Sequence, residues 1–413
     1  MSRVLSLCFL LLTAIMGFLH LDSRPAWAPF AELAPIVIEE PIEQEKSSKT
    51  QQSSKPNIAA PMSNWLPDTG AASVHAASLI ALKDGAIRAF WFAGSREGAP
   101  DVIINSAVYD PQSANWSAPT VVIDRLAAQS GLSRYIAKLG NPVPSRMADG
   151  RMQLFFVTVS IGGWAGSSIS TIISDDEGIT WSRPQRLISS PFFNLSTLVK
   201  SPALPFADGR LGLPAYHEWI GRFGEFLRIE ATQVIDKRRM SSGRSAIQPV
   251  VFVKDPQTAT ALFRQTRSSE LAKQIPVSQT LDAGQTWQSS EDLSIANPNS
   301  AVAGLTLGNG IRLLALNNIE AGRYRLVLLM KPAQADQWQV VRVLEDEEAL
   351  PNEQRKEFSY PYLISANGND AHLAYTWDRK KIRHLYFSPA WLMQAYEQLA
   401  LPASDANSKQ GQR

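Results

Sequence analysis

The chain has 413 residues, 45% of them hydrophobic and 19% charged, with 26 Pro, 24 Gly and 11 Trp. Such a composition belongs to a globular protein and excludes wholesale disorder, a collagen repeat and a disulfide miniprotein. Forty basic residues face 38 acidic ones, and a net charge of +2 gives no electrostatic reason to expect nucleic acid as a partner. The single cysteine, Cys8, lies in the first apolar run, so disulfides, thiolate metal sites and a cysteine nucleophile are excluded from the body of the chain.

In chain order, residues 1–28 read as an export signal. Arg3 supplies the positive end, residues 4–19 form a 16-residue apolar stretch that is short for a membrane span, and Ala26-Trp27-Ala28 offers a small-x-small cleavage pattern. The bulky Leu5-Ser6-Leu7 ahead of Cys8 does not suit a lipoprotein signal. The expectation is a cleaved signal, a start near Pro29, and an exported protein, periplasmic or extracellular, with no stable membrane embedding. The alternative is an uncleaved N-terminal anchor. Residues 29–64 are expected to be a flexible linker, because from residue 38 they are rich in Glu, Lys, Gln, Ser and Pro and bury little apolar surface. The last residues, 401–413, are similar and read as a disordered tail. Just before them Trp391, Leu392, Tyr396 and Leu399 repeat at helical spacing, which predicts a short amphipathic helix packed on the body.

Between linker and tail a pattern recurs six times: a strand-like run, a tight turn, and a second strand. The copies are residues 79–92, 144–157, 202–216, 250–263, 304–317 and 363–377. Their turns carry Gly85, Gly150, Gly209, Gly310 and Gly368, with Pro256 in the fourth place, and recur about every 57 residues. Each copy reads as a β-hairpin, since the turn residues tolerate positive φ and the flanks are β-branched and aromatic. All-β repeats of this length hold about four strands each and predict propeller blades. The expected fold is therefore all-β, a six-bladed β-propeller over residues 65–400, closed by pairing of segments near 65–75 and 380–390. An irregular β-sandwich is the alternative.

A second marker runs in phase. Ser174-Asp175-Asp176-Glu177-Gly178-Ile179-Thr180-Trp181 and Thr280-Leu281-Asp282-Ala283-Gly284-Gln285-Thr286-Trp287 both fit S/T-x-D-x-G-x-T-W. In such a turn the Asp carboxylate accepts main-chain N–H bonds, Gly takes the positive-φ corner and Trp packs on the blade. Trp116 and Trp338 end eroded copies.

This eight-residue pattern resembles the Asp-box of the sialidase (neuraminidase) superfamily, whose bacterial members carry such BNR repeats. The resemblance covers roughly residues 70–390. It implies a sialidase-type propeller and, for an active member, three arginines on a substrate carboxylate, an Asp acid/base and a Tyr nucleophile activated by a Glu. Planar guanidinium forks suit a carboxylate, and a phenol needs a neighbouring base to become nucleophilic. By that resemblance Arg96, Arg264 and Arg323 would hold the carboxylate, Asp101 would be the acid/base and Tyr360 the nucleophile. Two positions depart from the pattern. His75 stands where the first arginine is expected, and Gln248 near the place of the activating Glu, which leaves Glu357, Glu218 or His75 as bases. Blade three adds Tyr216-His217-Glu218-Trp219, with Tyr216 and Glu218 on one strand face and His217 on the other, and Lys200 ahead of its hairpin. Asn141 and Asn299, at inner-strand starts, suit sugar hydroxyls and equally the capping of turns.

The five histidines show no metal-ligand spacing, no phosphate loop is present, and no cofactor or metal is expected. The reading is an exported, monomeric, sialidase-like glycoside hydrolase acting on an acidic sugar. A non-catalytic glycan-binding propeller and a uronate lyase on the same scaffold are the alternatives.

Overall fold

The computed structural model describes residues 2–21, 26–32, 60–190, 194–268 and 273–400. Six antiparallel sheets of four or five strands follow one another along the chain and form the six blades of a propeller. Their innermost strands are Ser73–Ala81, Lys138–Arg146, Leu198–Val199, Ala246–Val253, Ala303–Thr306 and Phe358–Ile364. The hairpin turns fall where the sequence places them, with φ between 80° and 85° at Gly85, Gly150, Gly209, Gly310 and Gly368.

The inner two strands of each blade are covered on both faces by neighbouring blades, so even the second strand can be buried throughout. Met152–Val159 is buried at every position. The core accordingly lies in the seams between blades. Phe155 and Val157 of blade two meet Leu213 and Leu227 of blade three, and Leu313 and Leu328 of blade five meet Leu373 and Tyr375 of blade six. The helix Pro389–Ala400 lays Trp391, Leu392 and Ala395 on the latter seam, as its periodicity predicts.

Met62–Trp65 is the outermost strand of blade six, paired antiparallel with Lys381–Phe387 in the register Ser63↔Leu385. The ring is thus closed by its two ends, which removes two exposed strand edges. The pairing segment lies at the front of the expected 65–75, so the propeller begins ahead of residue 65. The reason is geometric: residues 66–72 are needed to run from the rim of blade six to the inner strand of blade one.

The linker also starts differently from expectation. Phe30 is only 1% exposed and Trp27 8%, and both pack into a cluster of blades three and four with Phe206 and Phe226. Their apolar surface is enough to dock residues 26–32, whereas the low-complexity composition begins only near residue 38. Residues 33–59 of the linker and the tail at 401–413 lie outside the described residues, while the linker's expected end at 62–64 is already part of the closing strand. Ser2–Leu21 is a helix. Among the described residues no helix is long and apolar enough to cross a membrane.

Both Asp-boxes close as their chemistry predicts. Asp176 accepts from the Thr180 N–H at 2.8 Å and its hydroxyl at 2.6 Å, and Asp282 accepts from Thr286 at the same two distances. These bonds stabilise the charged form and hold the Asp176 carboxyl below its usual range. Gly178 and Gly284 take φ of 89° and 90°. Each box then sets its tryptophan against the preceding blade, Trp181 on Phe90 at 5.8 Å and Trp287 on Phe226 at 5.7 Å. Both indoles are partly buried. Trp181→Ala and Trp287→Ala should therefore each cost about 2–3 kcal/mol, below the range for a fully buried indole. Denaturant unfolding would measure it, and an unchanged midpoint would remove the seam role.

Candidate functional site

One residue per blade has left-handed backbone at the start of the innermost strand. Ala76, Asn141, Ser196, Gln248, Asn299 and Tyr360 all have φ between 39° and 61°. At four of them the ladder shifts register, between His75/Ser78, Gly140/Val143, Ile247/Val250 and Ser359/Tyr362. A bulge of this kind re-aims a side chain out of the strand, and for non-glycine residues it is a strained conformation. The connections between second and third strands lie at the same end of the channel. They bring in Glu97, Trp164, Glu218, Arg323 and Arg379, while Arg264 comes from the end of the second strand of blade four, Ala259–Gln265.

Bulges and connections enclose a cavity of about 230 Å³, to which all six blades contribute. A larger cleft of about 740 Å³ lies on the flank between blades four and five. The central cavity is distinguished by what converges on it: three arginines, Glu97 and Glu218, and the phenols of Tyr216 and Tyr360.

Among the sequence candidates, Arg264, Arg323, Glu218, Tyr216, Tyr360 and Asn141 line this cavity. Gln248 lies just behind it, 1% exposed. The Gln248 amide is oriented by its partners. Its Oε1 accepts from Arg264 Nη1 at 3.3 Å, and its Nε2 donates to both the Tyr216 and Tyr360 hydroxyls at 3.2 Å. The two phenols thus accept from one amide, which leaves their O–H groups free to donate into the cavity. Asn141 Nδ2 also donates to the Tyr216 hydroxyl at 3.4 Å. Burial, the nearby phenol of Tyr360 and Glu218 push the Tyr216 phenol well above its ordinary range, so it is a neutral donor.

The three guanidiniums are not equivalent. Arg323 is bound by Glu357 at 3.0 Å and by the Asn299 carbonyl at 3.2 Å. Arg379 pairs with Glu97 and, at 3.3 Å, with Glu357. Arg264 donates from Nε to Asn299 Oδ1 at 2.7 Å and makes no ion pair among the described residues.

Two carboxyls respond oppositely to this field. Burial raises Glu357, but the Ser359 hydroxyl and the guanidiniums of Arg323 and Arg379 outweigh it and hold the group at about 2. Glu218 is raised because burial outweighs Arg264 and Arg222, which makes it the better proton donor. Below the cavity Lys200 is buried, and its ammonium donates to the carbonyls of Val302, at 3.1 Å, and Pro361. Burial lowers it to about 7. It ties blade three to blades five and six.

Four candidates are placed elsewhere. Arg96 is exposed and Asp101 accepts from the N–H and hydroxyl of Ser95 at 2.9 and 3.0 Å, so this loop closes on itself. The turn presents Glu97, not Arg96 or Asp101, to the cavity. His217 takes the far strand face, stacked on Phe223 at 4.8 Å, and its Nε2 accepts from the Ile220 N–H. His75 is fully buried with its ring 4.3 Å from that of Tyr360. Burial lowers it to about 4, so the ring stays neutral, and among the described residues neither ring nitrogen has a hydrogen-bond partner through which a phenol proton could pass. Sequence reasoning missed Arg379, Glu97 and Trp164. Arg379 sits in the turn Asp378-Arg379, both at positive φ, and fills the site from blade six where blade one has His75.

Six blades closed into a ring, two of them carrying closed Asp-box turns, make a propeller of the sialidase type. The chain belongs to the BNR repeat-like domain family, whose model matches residues 85–373. No curated protein matches the sequence. Among solved structures the fold is similar to a Hadza microbial sialidase, with a TM-score of 0.64 and 14% identity over 79% of this chain and 68% of that one. It is also similar to a Dyadobacter fermentans protein of unknown function, with a TM-score of 0.63 and 12% identity over 80% and 98% of the two chains. The NanB sialidase of Streptococcus pneumoniae gives 0.61 and 12% identity over 81% and 71%. At such identities the likeness is one of fold.

The depressed Glu357 carboxyl has a pH signature. Its stabilisation is present above the unfolded value of 4.5 and is lost as pH falls through about 2. Unfolding free energy should therefore decline between pH 4.5 and 2, and Glu357→Gln should flatten that window while lowering stability at pH 7. Equal slopes in parent and variant would remove the assignment.

Proposed function

We propose that the central cavity binds the carboxylate-bearing terminal sugar of an acidic glycan, on a sialidase-like site whose tyrosine lacks the usual carboxylate base. The observation that carries this reading is Arg264, a guanidinium without an ion pair among the described residues, held by Asn299 and Gln248 at the cavity. A planar guanidinium presents paired donors to a carboxylate, and the two phenols and Asn141 add neutral donors for its oxygens or for hydroxyls. A cavity of about 230 Å³ suits one sugar ring better than a polymer segment. Export to the periplasm or the extracellular space fits a glycan ligand, and the apolar run near the N-terminus supports it.

Turnover is the second reading, favoured by Tyr360 and the raised Glu218 carboxyl in the same cavity. In it the Tyr360 oxygen attacks the anomeric carbon and gives up its proton to water, Glu218 protonates the leaving oxygen, and a second water then hydrolyses the glycosyl–tyrosine bond. The Gln248 amide donates to Tyr360 and cannot take its proton, which is why water is the acceptor in this reading.

A panel of sialosides and uronate oligosaccharides separates the outcomes. Retention without product means recognition, released sugar means hydrolysis, and an unsaturated uronate means a lyase. Arg264→Lys keeps the charge but loses the fork, and should weaken acidic-sugar binding by about 1.5–3 kcal/mol in calorimetry. Undiminished binding would defeat the proposal. Gln248→Glu places a carboxylate against both tyrosines and Arg264. It should weaken binding of the acidic sugar and raise turnover if Tyr360 is a nucleophile.

A further inference from the structure

The segment at residues 26–32 is bonded to the propeller as firmly as a strand. Main-chain bonds join Phe30 N–H to the Pro256 carbonyl at 2.8 Å, Ala31 N–H to Pro205 at 2.9 Å, and Ala207 N–H to the Pro29 carbonyl at 2.9 Å. The Trp27 N–H adds a bond to Gln285 Oε1 at 3.2 Å. These partners belong to hairpin turns of blades three and four and to the Asp-box of blade four, so the segment crosses their seam.

Trp27 fills that seam. Its ring stands edge-on to Phe206 at 5.8 Å and 6.0 Å from Phe226, and its indole N–H donates to Asp236 Oδ2 at 3.0 Å. The Arg228 and Arg238 guanidiniums lie over it at 5.2 and 5.9 Å. Phe30 stacks on Phe206 at 5.2 Å. Removing Trp27 would uncover Phe206 and Phe226 and take from Asp236 a donor inside a partly buried charge cluster.

We propose that Trp27 is a structural residue of the working protein, and that the chain is not cut after Ala28. Residues 26–32 are a strap that locks blades three and four. The Ala26-Trp27-Ala28 pattern is then part of the fold and not a processing site. The bond that would be cut leads into Pro29, whose carbonyl is already committed to Ala207. The strap lies at the hairpin end of the channel, opposite the bulges that frame the cavity. Whatever precedes Trp27 therefore leaves the propeller on the face away from the ligand.

The test uses the full chain with a C-terminal tag, produced in a host that exports it. Intact mass should place the N-terminus at or before Trp27. A start at Pro29 or beyond would overturn the proposal. Thermal unfolding gives a second readout. Trp27→Ala should lower the melting temperature by about 5–10 °C, and Trp27→Phe, which keeps the ring but loses the N–H, should fall between. Loss of soluble protein with Trp27→Ala and recovery with Trp27→Phe supports the same role, whereas an unchanged melting temperature in Trp27→Ala overturns it.

Discussion

Left-handed backbone at the head of each inner strand is the constraint on which the site depends. Such a conformation costs about 1–3 kcal/mol for a residue that is not glycine, and here it occurs in all six blades, at Ala76, Asn141, Ser196, Gln248, Asn299 and Tyr360. Only the two asparagines are residue types that adopt it readily. The ladders on either side and the packed seams hold the others in place. In return Asn141 and Tyr360 reach the cavity and Gln248 sits directly behind it, departures from the alternating pleat of a regular strand. Asn299 and Gln248 show the use made of this, since the side chains of these two left-handed residues together orient Arg264.

Around that frame the charges are arranged unequally. Glu357 and Glu97 neutralise Arg323 and Arg379, and of the three arginines only Arg264 reaches the cavity without an ion pair among the described residues. Three like charges would repel one another in so small a space. Pairing two of them lets the third stay at the cavity wall. The central glutamine fits the same logic, because a carboxylate there would compete with a ligand for Arg264.

Much of the architecture was legible from local chemistry. Turn glycines need positive φ, the Asp-box is a self-contained set of bonds, and both recur at blade spacing, so each states its place without reference to the rest of the fold. Arg264, Tyr360 and Gln248 were legible because they sit at fixed offsets from those hairpins. Loops between second and third strands carry no such marker. The loop after the first hairpin bonds Asp101 back to Ser95 and thereby turns Glu97 inward, a choice made by tertiary closure. Arg379 was hidden for a similar reason: nothing in a two-residue turn tells whether its tip faces the axis or the solvent.

The strap and the closing strand have a mechanical consequence when taken together. The chain is fastened first across blades three and four at residues 26–32, and again at the rim of blade six by Met62–Trp65. Tension applied at the N-terminus therefore meets the strap first. Its main-chain bonds and the Trp27 plug must give way before any load reaches the strand that holds the ring shut. The closure is shielded from pulling, and whatever drags on the leading segment strains the hairpin face while the cavity at the other end keeps its shape.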